Sequence, residues 1–303
     1  MSNLETHQIA IYLGALATGA LTGWAIPSAT SLAPAITPAL ALLLYVTFLQ
    51  IPLTRLVPRP DRFLAAVLIG NFVLAPLAVA AIFPFLPENL AIRTGVLLVL
   101  LTPCIDYVIV FSGLAGGASE KLLATTPVLL LAQLILLPAY LFLFLGPDLA
   151  DLVDPRPFLE AFLFLIVVPL TLAALTQRGK RQAAKAMVPL MAVTLFTVTA
   201  SQMSALDVGV VQVVPFYAFF LAAMAVAGTA LARVFRLDGP ESTAVIFSGA
   251  TRNSLVVLPL ALALPSQLAV ASVVVVAQTL VELVGMVIFV RVFGDRSPKP
   301  RGY

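Results

Sequence analysis

Long runs of apolar residues follow one another along the chain, broken only by short clusters of charge, proline and glycine. Taking those clusters as boundaries predicts about ten helical spans, at 8–26, 35–55, 62–84, 90–115, 120–146, 157–176, 184–204, 210–234, 241–264 and 267–292. Each run is near or beyond the roughly 20 residues that a helix needs to cross a bilayer. Most show no one-sided apolar stripe, which is the pattern of helices surrounded by lipid or by other helices. No segment is left for a soluble domain of useful size, so residues 1–303 read as one membrane domain.

The polar positions inside these runs carry a weak echo at an offset of about half the chain. Pro38 and Pro189 lie near the starts of spans 2 and 7, and Gln50 and Gln202 near their ends. Thr102-Pro103-Cys104 falls against Thr251-Arg252-Asn253, and Gln133 in span 5 against Gln278 in span 10. The shared order predicts two five-helix repeats, about 8–146 and 157–292. A repeat with an odd number of spans enters the membrane upside down in its second copy, an architecture of alternating-access transporters. The expected fold is therefore an all-α polytopic membrane protein of about ten transmembrane helices in two inverted repeats.

Composition agrees. Hydrophobic residues make up 61% of the chain and charged residues 10%, against about 25% charged in a soluble domain. Basic residues concentrate in alternate connections: Arg55, Arg59 and Arg62; Lys121; Arg178, Lys180, Arg181 and Lys185; Arg233 and Arg236; Arg291, Arg296, Lys299 and Arg301. The other side has Arg93 and Arg156, and Asp148, Asp151 and Asp154 gather there. By the positive-inside rule both termini are expected in the cytoplasm, in a multi-pass protein of the cell inner membrane. The leader Met1 to Gln8 has no Lys or Arg, so the first run is expected to be a mature helix rather than a secretory signal. The basic residues form no stripe, which gives no reason to expect a nucleic-acid partner. One histidine, His7, and one cysteine, Cys104, argue against haem ligation, His-based zinc sites and any intrachain disulfide, and no cofactor is expected.

Asp106, Arg252 and Glu282 are charged and lie inside predicted spans, away from their ends. An ionisable group at mid-bilayer costs at least about 2.5–3.5 kcal/mol on insertion scales, so it normally faces a partner or a cavity. Asp106 follows Pro103, which removes a backbone donor and should break span 4. Arg252 sits at the matching place in span 9, within the polar run Ser248 to Ser254. Broken helices at corresponding places predict a site near the membrane midplane, where helices 4 and 9 cross. Asp106 and Arg252 either pair only to tolerate burial or also take part in function. Glu282 has Gln278 one turn earlier on the same face. Burial disfavours the charged form of a carboxyl, which makes Glu282 a candidate proton carrier; pairing with Arg252 is the alternative.

Cys104-Ile105 through Leu114-Ala115-Gly116-Gly117, followed by a long span 5, resembles the fourth-span region of the arsenical-resistance permeases, within the bile acid/sodium symporter superfamily. Thr251-Arg252-Asn253-Ser254 resembles that superfamily's ninth-span crossover motif, and Glu282 an acidic residue of its tenth span. The resemblance implies a ten-helix inverted-repeat transporter in which Cys104 takes part in export of trivalent arsenic, a soft ion that seeks thiolate sulfur. Two departures matter. Leu255 and Val256 stand where the arsenite permeases usually carry a Glu, and Ser248 and Arg252 where the sodium-coupled branch usually has Glu and Gln.

The resulting expectation is a proton-coupled exporter of arsenite or antimonite. Cys104, Asp106, Thr251, Arg252, Asn253 and Ser254 would be at the substrate, with Cys104 contacting As(III), and Glu282, Gln278 and Gln133 would serve ion coupling. Protons are expected rather than sodium, because a guanidinium repels a nearby cation. The alternative is a transporter of small organic anions with Arg252 on the carboxylate. An enzyme is not expected: no D-D-x-x-D motif, zinc-ligand spacing or membrane-embedded His is present. No phosphate-binding G-x-x-x-x-G-K-[ST] loop occurs, so a gradient should drive transport; a separate ATPase is not expected.

Overall fold

The computed structural model describes residues 7–50, 60–105, 107–146, 160, 163–176, 180–203 and 208–294. Among these residues the chain is all-helical. Helices α1 (Gln8–Ala25), α2 (Ala33–Gln50) and α3 (Arg62–Phe85) precede α4 (Leu90–Leu100), α5 (Tyr107–Leu114) and α6 (Ser119–Leu145). Then come α7 (Val168–Leu175), α8 (Lys180–Gln202), α9 (Val214–Val234), α10 (Gly239–Ala250), α11 (Ser254–Leu262) and α12 (Val270–Gly294). Among the described residues five segments are long and apolar enough to cross a bilayer: Ser28–Leu49, Arg62–Phe85, Ser119–Leu145, Gly209–Val234 and Ser266–Gly294. Shorter apolar helices accompany them, and large apolar side chains such as Leu143, Leu175 and Val226 lie exposed on outward faces, as lipid requires. The protein is a multi-pass membrane protein. Asp148, Asp151, Asp154 and Arg156 lie outside the described residues.

The helices pack in two sets. In one, α8 lies against α1 and α2, and α2 against α7. The α1–α8 contact is close because Gly19 and Gly23 stand one turn apart: a methyl group at Gly23 would come 2.3 Å from the Ala200 carbonyl oxygen. Small residues at this spacing let two backbones meet where lipid supplies no hydrophobic drive for association. In the other set, α9 packs on α10 and α12, α12 on α4 and α11, and α5 on α6 and α10. Gly95 brings α4 onto α12, since a Cβ there would meet Ala271 O at 2.8 Å. Contacts of α11 with α2, and of α12 with α8, join the sets.

Prolines shape the helices that carry the site. Pro76 cannot donate to Phe72 O, so α3 opens into one π turn at Gly70–Leu74, with Ala75 N–H reaching Gly70 O. The carbonyl left over, Phe72 O, accepts the Tyr140 hydroxyl of α6 at 2.6 Å. The widened turn presents Asn71 to the interior, where it is fully buried.

Candidate functional site

Helix α4 ends at Leu100 because Pro103 has no N–H to continue it; Thr102 N–H closes a tighter turn onto Val99 O at 3.3 Å. Helix α10 starts with an Asp238/Glu241 capping box and ends at Ala250, where Thr251 becomes extended and its N–H closes on Phe247 O at 3.0 Å. Helix α11 restarts after Asn253, whose side-chain oxygen accepts Val256 N–H at 3.1 Å. The two non-helical stretches lie antiparallel: Pro103 stands opposite Arg252, and Asn253 N–H donates to Thr102 O at 2.9 Å. The two threonines at this crossing behave alike. Thr102 and Thr251 each donate the hydroxyl proton to the carbonyl four residues back, Leu98 O and Phe247 O, at 2.8 Å. Thr251 is thus left as an acceptor rather than a donor toward anything bound.

The Arg252 side chain is completely buried. Its Nη2 donates to Asn71 Oδ1 at 2.9 Å, to Ser248 O at 3.2 Å and to Gly249 O, and Nη1 approaches Leu100 O at 3.4 Å. Phe220 of α9 places its ring face 5.3 Å from the guanidinium carbon. Leu100 ends α4, and Ser248 and Gly249 belong to the last turn of α10, so the cation rests on carbonyls left unpaired at two helix C-termini. Among the described residues no carboxylate forms an ion pair with it; the ion pair found there is Lys121 with Glu241, between α6 and α10.

Glu282, also completely buried, occupies the opposite pole. One carboxylate oxygen accepts the Tyr107 hydroxyl at 2.7 Å; the other accepts the Arg252 backbone N–H at 2.8 Å and the Gln278 amide. Two of the three donors are thus side chains, one from α5 and one a turn earlier on α12, and the third is the main-chain N–H just before the cap of α11. Glu282 therefore bonds the main chain of Arg252, not its guanidinium.

The crossing brings Thr251, Arg252, Asn253, Ser254, Glu282 and Gln278 together, with Cys104 fully buried in the first break. Asn253 Nδ2 and Ser254 Oγ are buried without a hydrogen-bond partner. Gln133 is buried in α6 with Oε1 unpartnered, and no hydrogen bond joins it to Glu282 among the described residues. Asp106 lies outside the described residues, and with it the expected Asp106–Arg252 pair.

Two contributors were missed at the level of sequence. Asn71 links the Arg252 guanidinium to Ser248 Oγ, to which its amide donates at 3.0 Å, and Tyr107 ties Glu282 to the crossing. A signal for Asn71 exists: it is the one polar side chain between Arg62 and Glu88, five residues before Pro76. Tyr107, an ordinary aromatic in an apolar run, offers none.

A sequence profile described as Sodium Bile acid symporter family matches residues 37–213, more than half of the chain. No curated protein matches the chain.

Proposed function

Because the chain belongs to the Sodium Bile acid symporter family, a family of membrane transporters, we propose that it is a secondary transporter exporting arsenite or antimonite in exchange for protons. The observation that carries this reading is a buried thiol in one helix break and two buried donors without partners in the break that crosses it: Cys104, with the amide of Asn253 and the hydroxyl of Ser254. As(OH)3 offers sulfur-seeking arsenic and hydroxyl oxygens, which is what those groups would bind. A single thiol suits a carrier that must release its cargo. Glu282 would exchange the proton, since its three donors can be redistributed when its charge changes.

The paired breaks, the matched behaviour of Thr102 and Thr251, and the helix-ending Gln50 and Gln202 support a layout of two inverted five-helix repeats with crossing helices near the midplane. Charge placement supports cytoplasmic termini in a cell inner membrane. The second reading, transport of a small organic anion, draws on the family match alone: an anion bound by Arg252 would first have to displace the oxygens that now hold the guanidinium.

Arsenite uptake into everted vesicles under a proton gradient tests the proposal. Gradient-dependent uptake by the native chain that Cys104→Ser abolishes is the expected result. A folded, inserted native chain without such uptake overturns it and favours the organic anion.

A further inference from the structure

Nη2 of Arg252 has two hydrogens but faces three oxygens, Asn71 Oδ1, Ser248 O and Gly249 O, with Leu100 O a fourth on Nη1. The nest is richer in acceptors than the guanidinium has protons aimed at it, while Arg252 Nε, on the same side chain, is buried with no acceptor at all. Arginine is normally matched to planar carboxylate or phosphate in a fork. Here no such fork exists among the described residues. Instead, main-chain carbonyls from two helix C-termini and one amide oxygen converge from α3, α4 and α10. That is the donor set by which hard cations are held in place of their hydration shell, and broken helices in transporters use half-helix C-termini and unwound carbonyls in this way.

We propose that the Arg252 side chain is a tethered cation seated in an oxygen-lined socket that would otherwise take a hard monovalent cation such as Na+. The charge that holds α4 and α10 together at their broken ends is therefore built into the chain and does not exchange with solvent. Sodium and the guanidinium compete for one place, and the tethered charge wins because it is always present. In the native chain this socket accordingly takes no sodium. Removing the side chain turns the socket into a cation site, with Asn71, Ser248, Gly249 and Leu100 as ligands and water filling the space left. Asn71 sets its specificity, since it is the one ligand supplied by a side chain.

The test uses the purified full chain and follows thermal unfolding in NaCl against choline chloride at equal ionic strength. The native protein is expected to show the same midpoint in both. Arg252→Ala is expected to unfold at lower temperature in choline and to regain about 3–6 °C in NaCl, saturably. Arg252→Gln, which keeps part of the hydrogen bonding, serves where Arg252→Ala accumulates poorly, with a smaller shift of the same sign. Adding Asn71→Leu to either variant should remove the sodium response. A saturable sodium shift in the native protein, or a folded Arg252 variant indifferent to sodium, overturns the proposal. Because the readout is stability, it stands or falls separately from arsenite transport.

Discussion

The crossing has two poles of opposite charge, and they are held by different means. At one, the C-termini of α4 and α10 present carbonyls to the Arg252 guanidinium; at the other, the Tyr107 hydroxyl, the Gln278 amide and the Arg252 main-chain N–H meet the Glu282 carboxylate. Asn71 is the one side-chain partner of the cation, whereas Tyr107 and Gln278 make two of the anion's three partners side chains. The poles differ in how replaceable their occupants are. The guanidinium is one donor group spread over four acceptors on three helices. The carboxylate is one acceptor group receiving three donors, and a neutral carboxamide or carboxylic acid can still meet two of them. The cation pole is thus suited to holding the structure together, the anion pole to a group that changes charge.

Breaking the cation pole should have the largest effect. Arg252→Met leaves buried carbonyls without donors at about 1–3 kcal/mol each, so we expect a loss of several kcal/mol, read by thermal or denaturant unfolding in detergent. Glu282→Gln can keep its oxygen on the Arg252 N–H and the Gln278 amide and turn its NH2 to the Tyr107 hydroxyl, which can accept, so unfolding should shift by no more than about 1–2 kcal/mol. Transport in vesicles, by contrast, should lose its dependence on the pH gradient. That split between stability and coupling is what separates the poles; equal damage from both substitutions would erase it.

Smaller changes sharpen the contrast. Cys104→Ser, a near-isosteric change in the first helix break, should abolish arsenite uptake while leaving the unfolding midpoint nearly unchanged. Tyr107→Phe removes one hydrogen bond to Glu282 and should cost about 1 kcal/mol, with a shifted pH profile of transport as the readout that packing alone would not move.

Much of this was legible in the chain itself. The apolar runs place the helices because backbone groups in hydrocarbon must be satisfied within the segment. Pro103 places the first break by removing a donor, and the polar run from Thr251 to Ser254 places the second. Arg252 and Glu282 stand out because charge is rare at such depth. What tertiary structure alone decided is who holds whom. A guanidinium and a carboxylate 30 residues apart invite the reading of an ion pair. Packing instead seats the guanidinium on helix C-termini and bonds Glu282 to the main-chain N–H of Arg252. The physical reason is that most of the partners are backbone carbonyls and amides, which every residue carries. Only the three-dimensional meeting of α3, α4, α10 and α12 selects which of them are left without helical partners and point at a charge.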